Sequence, residues 1–344
     1  MTEKNLAFVA LGGQELTAKD SFAIAQSDIP NPKANDLIVK VEGFSLNPID
    51  EKRRSSLVGQ SLILGYDAVG EIVALGDQVQ NLTIGDRVIY AGTTKRAGSY
   101  QRYQAVAANL IAKVDQEAPL HELAALPLVG LTAWELLFER LGFTPAHNAN
   151  QGKTLLVING AGGVGSMLTQ LANWAGLTVL ATASPKNNPW LADHGVNFAI
   201  DYHTDIVKAV HQSGFNQLDA IAALYNPVPY MTTMAELIAP FGHIGTIVKP
   251  TAPLDLSPLL AKSVSFSFER MFTKTDYNLH ADSTSVILSK LLALYFSGQL
   301  SASVSTSLSP INLTNLKTGL TTLNSGHQVG KIVLSGAFES SLNS

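Results

Sequence analysis

The stretch VINGAGGVGSMLTQLANWAG, residues 157–176, decides the fold of this chain. It begins as an apolar strand, breaks into four glycines within residues 160–165, and continues with apolar residues at helical spacing. Gly160, Gly162 and Gly165 fit the pattern G-x-G-x-x-G. Between a strand and a helix, such glycines make the tight turn, admit a diphosphate close to the backbone, and let helix and strand pack closely. The stretch therefore predicts a dinucleotide-binding loop, with a plain glycine turn as the structural alternative.

The backbone amides of this loop are the expected ligands of the diphosphate, because the start of a helix carries unpaired N–H groups and a partial positive charge. The candidate loop residues are Gly160, Ala161, Gly162, Gly163, Val164 and Gly165.

The residues beyond the loop favour NADP(H) over NAD(H). NAD sites usually place an Asp or Glu about 20 residues past the loop, whereas no acidic residue occurs here between Gly165 and Asp193. The second strand runs instead into Ser184 and Lys186. A carboxylate a few ångströms from a 2′-phosphate would cost about 4 kcal/mol at an effective dielectric constant of roughly 20. A hydroxyl and an ammonium in its place favour NADPH, and an ordinary polar turn is the alternative.

Strand-like runs alternate with helical patterns from Leu155 to about residue 250, which predicts an α/β domain with a doubly wound parallel sheet. The first 125 or so residues contain short β-like runs separated by glycine and proline, which is typical of a barrel-like β domain. The tail predicts a helix over residues 285–300, a loop, a helix near residues 313–323 and a final strand, GKIVLSG.

Composition narrows the class of protein. The 344 residues favour two domains, and a net charge of −4 without a basic stripe gives no reason to expect nucleic acid. Cysteine is absent, which excludes disulfides and Cys-ligated zinc. The longest apolar stretch, residues 123–134, is interrupted and too short for a membrane span. The first residues lack the pattern of a secretion signal, so we expect a cytoplasmic protein.

The order of these motifs, with AALPLVGLTAWELL, NGAGGVG, TASPK, AIDY and a closing GHQVGKIVL, resembles the medium-chain dehydrogenase/reductase superfamily. The chain is most similar to its quinone oxidoreductase branch and to the zinc-type alcohol dehydrogenase-like proteins that lack zinc ligands. The resemblance implies a GroES-like β-rich catalytic domain at residues 1–129 and 273–344, and a Rossmann NADP(H)-binding domain at residues 130–272.

The sequence departs from the zinc-dependent members at their metal ligands. Asn47 stands where they have a Cys, and Gly65 is followed by Tyr66 and Asp67 where they have His-Glu. The segment AGTTKRAGSYQRY, residues 91–103, occupies the region of their structural-zinc lobe. We therefore expect no metal site.

The resemblance also assigns residues near the cofactor and substrate. It implies that Asn47 lies near the nicotinamide or the substrate carbonyl, with an Asx-type turn formed with Asp50 as the structural alternative. Lys52 stands where many quinone oxidoreductases have a tyrosine, in a basic run, residues 52–54, that otherwise indicates a solvated turn. The remaining positions that match cofactor contacts, or that follow strands of the parallel sheet, are Thr132, Tyr202, Asn226 and Val248.

These observations predict an NADPH-dependent oxidoreductase that reduces quinones or α,β-unsaturated carbonyls by metal-free hydride transfer. The candidate catalytic residues around the substrate oxygen are Asn47, Lys52 and Tyr66. A zinc-independent alcohol or aldehyde dehydrogenase and a non-catalytic NADPH-binding protein are the alternatives.

The segment KSVSFSFERMF, residues 262–272, alternates apolar residues and falls where relatives extend their sheet through a neighbouring subunit. It predicts a homodimer, with a buried intrachain strand as the alternative.

Overall fold

The computed structural model describes residues 3–339. The chain divides into two compact units. Unit 1 comprises Met1–Leu128, Phe272–Phe296 and Ala302–Ser344, and unit 2 comprises Val129–Met271 and Ser297–Ser301.

Unit 1 is built mainly of β-strands. Numbered in chain order, they are β1 (Asn5–Leu11), β2 (Phe22–Ser27), β3 (Asp36–Ser45), β4 (Ser61–Ile63), β5 (Ala68–Leu75), β6 (Arg87–Tyr90), β7 (Tyr103–Ala107), β8 (Ile111–Lys113), β15 (Val304–Leu308) and β16 (Lys331–Ser335). One sheet has the order β2-β1-β4 and the other β15-β16-β3-β5-β6-β8, with β7 also paired to β3.

Strand β3 organises the larger sheet. Its sequence DLIVKVEGFS is buried at nearly every position because β5 pairs with one edge while β7 and β16 share the other. Strand β15 corrects one sequence expectation, because we expected a loop between the two tail helices. Its alternation of Val, Ser and Thr is stabilised by parallel pairing with β16.

The helices of unit 1 are short except near the C-terminal end. They are α1 (Pro48–Ser55), α2 (Leu120–Ala125), α8 (Phe272–Asp276), α9 (Ser283–Phe296) and α10 (Leu313–Asn324), with 3-10 turns at Lys19–Ser21 and Ala108–Leu110. Helix α3 (Pro127–Trp134) begins in unit 1, ends in unit 2, and is followed by a π-helical turn at Glu135–Arg140. Within residues 3–339, no helix is long and apolar enough to cross a membrane.

Unit 2 is a doubly wound α/β fold, as the alternating pattern predicted. Its strands are β9 (Thr154–Ile158), β10 (Thr178–Ala183), β11 (Phe198–Asp201), β12 (Leu218–Ala223), β13 (Ile238–Thr246) and β14 (Ser265–Phe268), and its helices are α4 (Gly163–Trp174), α5 (Asn188–Asp193), α6 (Ile206–Gln212) and α7 (Met231–Leu237). Single 3-10 turns lie at Pro185–Asn187, Val228–Tyr230 and Ser257–Lys262.

All strand pairs of this sheet are parallel, in the order β11-β10-β9-β12-β13-β14. Counted from β9, this is the 3-2-1-4-5-6 order of the dinucleotide-binding fold. The strands are apolar runs, buried by helices on both faces, with Leu156, Leu180, Ile221 and Ile244 in the core. The order reverses between β9 and β12, which places the ligand crevice at the carboxyl ends of these two strands.

Candidate functional site

The glycine loop joins β9 to α4 in a turn that only small residues can form. Asn159 adopts a left-handed conformation with φ +70°. A Cβ atom at Gly165 would lie 2.4 Å from the Asn159 carbonyl oxygen and 2.5 Å from that of Gly160. A Cβ atom at Gly160 would lie 2.6 Å from Ala181 Cβ on the neighbouring strand β10. The first and third glycines of the pattern are therefore required by helix–strand packing.

Among residues 3–339, no side chain caps the start of α4. Its N-cap is Gly162, which has no side chain to donate or accept, and the first turn contains no acidic residue. Gly163 and Val164 are half-buried, and Ala161 is buried at the turn. The 12-residue helix adds a partial positive charge at this end. These features fit the diphosphate of a dinucleotide.

The end of β10 places two hydroxyl groups side by side. Ser184 Oγ lies 3.1 Å from the Tyr202 hydroxyl oxygen, which follows the neighbouring strand β11. Lys186 is exposed and forms no hydrogen bond or ion pair with any residue in the range 3–339. Its ammonium therefore has no partner in the part of the chain that the structure describes.

Sequence reasoning missed the acidic residue that lies beside this position. Asp201 pairs in register with Ala183, the last residue of β10. Its carboxylate accepts hydrogen bonds from the backbone N–H of His203 at 3.0 Å and contacts His203 Nδ1 at 2.7 Å. These bonds lower the pKa of Asp201. The sequence could have indicated this position, because Asp201 ends β11 and the carboxyl ends of adjacent parallel strands lie at one edge of the sheet.

The other predicted cofactor residues of unit 2 follow neighbouring strands. Asn226 lies beyond β12 and donates from Nδ2 to Thr251 Oγ1 at 2.7 Å. Val248 lies beyond β13 and is half-buried. Since β12 and β13 are adjacent, these two residues lie at the same edge of the sheet as the glycine loop. Thr132 is buried on α3.

The predicted catalytic residue Asn47 belongs to a buried polar network in unit 1. Its Oδ1 accepts a hydrogen bond from Lys331 Nζ at 2.5 Å, and its Nδ2 donates to Asp67 Oδ2 at 2.8 Å. Asp67 also accepts from Ser45 Oγ at 2.5 Å and from the backbone N–H of Leu128 at 2.6 Å. Lys331 Nζ lies 3.3 Å from Asp67 Oδ2. Both polar ends of the Asn47 amide are thus bonded inside the protein.

The same segment caps helix α1. The carboxylate of Asp50 accepts a hydrogen bond from the Asn47 backbone N–H at 2.8 Å, which is the bond that the third helical residue makes in a capping box. Burial raises the pKa of Asp50 to about 7, opposed by that hydrogen bond, by Tyr100 and by Lys331. Burial also raises the pKa of Asp67 and lowers that of Lys331, and the attraction between the two opposes both changes.

The basic run at residues 52–54 lies in α1 and is only partly solvated, which corrects the expected turn. Lys52 is exposed. Arg54 is buried and pairs with Glu51, from Nε to Oε2 at 2.7 Å and from Nη2 to Oε1 at 2.8 Å. Arg53 donates to the hydroxyl of the candidate Tyr66 and to the Thr94 carbonyl oxygen at 3.0 Å. One of the three charges therefore remains in solvent.

Lys331 and Asp67 are the site residues that sequence reasoning left without a role. Each is a lone charge within an otherwise apolar run, GKIVL and GYDAVG. Charged residues are almost never fully buried unless they are paired, so two opposite charges in such runs are a signal for a buried pair.

Comparison with known proteins agrees with this architecture. Residues 33–116 match the alcohol dehydrogenase GroES-like domain family, and residues 194–334 match the zinc-binding dehydrogenase family. A zinc-type alcohol dehydrogenase-like protein from Staphylococcus epidermidis is 38% identical over 262 residues, which are 76% of this chain and 78% of that protein. A chloroplast envelope quinone oxidoreductase homolog from Arabidopsis thaliana is 30% identical over 211 residues, 60% of this chain and 64% of that protein.

Two solved structures extend the comparison to almost the whole chain. A candidate zinc-dependent alcohol dehydrogenase from Rhizobium etli has a TM-score of 0.90 at 31% identity, covering 97% of this chain and 99% of that chain. The quinone oxidoreductase from Coxiella burnetii has a TM-score of 0.81 at 25% identity, covering 97% and 100%.

A β-rich GroES-like unit and a dinucleotide-binding unit in one chain define an oxidoreductase of the alcohol dehydrogenase type. The chain belongs to the medium-chain dehydrogenase/reductase superfamily.

The name of the second matched family implies zinc, but the residues of this chain do not fit that ion. Asn47 stands where zinc-dependent members have a Cys, and Tyr66 and Asp67 stand where they have His-Glu. Asn47 and Asp67 are both already bonded to the ammonium of Lys331. Cysteine is absent from the sequence. Within residues 3–339, no group of three or more His, Cys, Asp or Glu side chains is arranged to hold a metal.

Proposed function

We propose that this chain reduces quinones or α,β-unsaturated carbonyl compounds with NADPH and without a metal ion. The observation that carries the proposal is the Asn47–Asp67–Lys331 network, which bonds a protein ammonium to Asn47, the residue that stands where zinc-dependent members have a Cys. The Arabidopsis relative is named a quinone oxidoreductase homolog, and the Coxiella neighbour a quinone oxidoreductase, which supports the same substrate class.

The reaction suits a site without a Lewis acid. NADPH supplies the hydride, and the substrate's conjugation spreads the incoming charge onto its own oxygen. The protein has two tasks: to hold the cofactor and substrate in a reactive orientation, and to donate a hydrogen bond where negative charge develops. Oxidation of a simple alcohol would additionally require removal of the hydroxyl proton, which a metal or a tuned base normally assists.

The choice of NADPH over NADH rests on the end of β10. Ser184 and Tyr202 present hydroxyls there, and Lys186 supplies an exposed ammonium. The carboxylate of Asp201, at the end of the neighbouring strand, is bonded to His203. A 2′-phosphate therefore meets donors and a cation, whereas an unphosphorylated ribose would leave the Lys186 charge without a partner.

The experiment is a turnover assay on the purified chain with NADPH and, separately, NADH. The panel contains benzoquinones, conjugated enones, saturated aldehydes and simple alcohols, each run with and without a zinc chelator. Reduction of quinones or enones that chelation does not change is the expected result. Turnover confined to alcohols and saturated aldehydes would favour an alcohol or aldehyde dehydrogenase. NADPH binding with no turnover would favour a binding protein.

We also propose that two chains form a homodimer in the cytoplasm through β14. This strand lies at the edge of the unit 2 sheet, and Phe268 at its end is 59% exposed. An unpaired strand edge with an exposed aromatic ring is a template for pairing with a second copy. Light scattering on the purified chain at micromolar concentration should give twice the mass of one chain, and a monomer mass would refute the proposal.

A further inference from the structure

Tyr66 is held in place by a backbone turn that only glycine permits. The preceding residue, Gly65, has φ +101°. A Cβ atom there would lie 2.4 Å from Ser99 Oγ and 2.5 Å from Tyr100 Cδ1. The Tyr66 ring packs edge-on against Phe272, with ring centroids 5.1 Å apart and planes at 69°. The phenol is 2% exposed, so both its backbone and its ring have a fixed position.

Arg53 fixes the phenol oxygen from the other side. Its Nη1 donates to the Tyr66 hydroxyl oxygen and to the Thr94 carbonyl oxygen, and its Cζ lies 5.6 Å from the centre of the tyrosine ring. Residues 93–94 are held in turn by Asp276, whose carboxylate oxygens accept hydrogen bonds from Thr94 Oγ1 at 2.6 Å and from Thr93 Oγ1 at 3.0 Å. The guanidinium is therefore positioned by α1, by residues 93–94 and by α8.

This arrangement determines what the hydroxyl can do. A phenol has one hydrogen to donate, and its oxygen accepts. The oxygen already accepts from Arg53, and within residues 3–339 the hydroxyl donates to no protein acceptor. Burial raises the pKa of Tyr66 to about 12 despite the opposing charge of Arg53, so the hydrogen stays on the oxygen near neutral pH. Donation from the charged guanidinium also polarises the O–H group and strengthens it as a donor.

We propose that Tyr66 donates the hydrogen bond to the substrate's carbonyl oxygen, and that Arg53 is the positioning residue that aims this hydrogen at the substrate. The proposal deepens the proposed function and depends on it for the identity of the substrate. The phenol keeps its proton throughout, so the contribution is electrostatic: the O–H dipole stabilises the charge that develops on oxygen during hydride transfer. Asn47, whose amide is bonded at both ends inside the protein, is not needed for this task.

The kinetic test compares Tyr66→Phe, Arg53→Gln and Arg53→Lys with the unchanged chain. Loss of one such donor costs on the order of 100-fold in kcat, and we expect this loss for Tyr66→Phe with KM little changed. We expect an intermediate loss, about 10-fold, for Arg53→Gln and partial recovery in Arg53→Lys. The double variant Tyr66→Phe with Arg53→Gln should be no slower than Tyr66→Phe alone, because both changes remove one donor.

Matched controls separate this role from a structural one. Tyr90→Phe removes another buried tyrosine hydroxyl of unit 1, which donates to Gln104. Arg102→Gln removes another partly buried guanidinium, which donates to the Phe338 carbonyl oxygen. Both controls should keep kcat within about twofold, since neither alters the tyrosine donor.

A second readout works without turnover. Cyclohexenone bound to the chain saturated with NADP⁺ should show a carbonyl stretch at lower infrared frequency than in water, and this shift should be lost in Tyr66→Phe and reduced in Arg53→Gln. If the unchanged chain turns over enones but Tyr66→Phe equals it in kcat and in the carbonyl band, the assignment of Tyr66 is wrong and the proposed function stands. If the unchanged chain turns over no quinone or enone, the proposed function fails, and the carbonyl band alone decides the assignment of Tyr66. Additive losses in the double variant would overturn the role of Arg53.

Discussion

Replacing Lys331 by Met tests the contribution of the cation in the buried network. The lysine side chain is 3% exposed, and its Nζ reaches Asn47 Oδ1 at 2.5 Å, the Leu46 carbonyl oxygen at 3.1 Å and Asp67 Oδ2 at 3.3 Å. Methionine has nearly the same length and fills the same space without a charge. The substitution therefore removes the ammonium while leaving the Asp67 carboxylate fully buried.

Two estimates of the destabilisation agree. Removing one partner of a buried ion pair typically costs about 3–5 kcal/mol. The folded chain can limit this cost by protonating Asp67, and transferring a proton to a carboxyl group of ordinary pKa, about 3.9, costs about 4 kcal/mol at pH 7. The same transfer costs only about 1.5 kcal/mol at pH 5. We therefore expect Lys331→Met to lose about 4 kcal/mol at pH 7 and less than half of that at pH 5.

The assay is urea-induced unfolding of the unchanged chain and of Lys331→Met at pH 5 and pH 7, monitored by circular dichroism. Lys153→Met is the control, because that lysine forms an exposed ion pair with Asp219 at 2.8 Å. An exposed pair contributes about 0–1 kcal/mol, so the control should change little at either pH. The double variant Lys331→Met with Asp67→Asn should recover part of the loss, since it leaves no unpaired charge. Equal destabilisation of the two lysine variants, or a loss that does not change with pH, would refute the reasoning.

Three further results are expected. Gly165→Ala should weaken NADPH binding at least 10-fold by calorimetry, because its Cβ atom would meet the carbonyl oxygens of Asn159 and Gly160 at 2.4 and 2.5 Å; unchanged binding would show that the loop does not hold the cofactor. Lys186→Gln should lose about 10-fold, or about 1.4 kcal/mol, in NADPH affinity and none in NADH affinity, and equal losses for both would contradict the phosphate assignment. Asp50→Asn should gain stability over the unchanged chain as pH rises, by at most about 1.4 kcal/mol per pH unit between roughly pH 4 and 7. The pKa of Asp50 is raised to about 7 in the folded chain, so the stability that its protonated form contributes is full below the unfolded pKa and is lost as pH rises through 7. A difference in unfolding free energy between the two chains that stays constant with pH would contradict this prediction.

The fold of unit 2 could be predicted from local sequence. Its strands are apolar because helices cover both faces of the sheet, and its glycine turn needs small residues at Gly160 and Gly165, so both leave a clear pattern in the chain. Strand β15 left a weaker pattern, since V-S-T-S-L is mostly polar and gains its order from pairing with β16. That pairing partner lies more than twenty residues later, beyond the reach of a local pattern.

The site of unit 1 could be predicted only in part, because its contacts are distant in sequence. Asn47 and Tyr66 could be chosen from the sequence, but the residues that form hydrogen bonds with them are not their neighbours in the chain. Lys331 lies 284 positions from Asn47, and Arg53 lies 13 positions from Tyr66 on a different element. A basic run is expected to be solvated, because most such runs are. Only the tertiary structure shows that Arg53 donates a hydrogen bond to the Tyr66 phenol.

The buried network and the Arg53–Tyr66 hydrogen bond join the same two segments. Asn47 is the N-cap of α1, which carries Arg53, and Asp67 directly follows Tyr66, so each segment contributes one residue to each of the two bonds. Two hydrogen bonds at different points along two short segments restrain both the distance and the rotation between them, whereas a single contact restrains only the distance. Apolar side chains in place of the network would pack α1 with comparable stability. They would not restrain the rotation of α1, because apolar contacts are not directional. The Lys331 ammonium therefore helps to orient the Tyr66 phenol and also neutralises Asp67. The double variant Lys331→Met with Asp67→Asn, which should recover part of the stability, should not recover kcat.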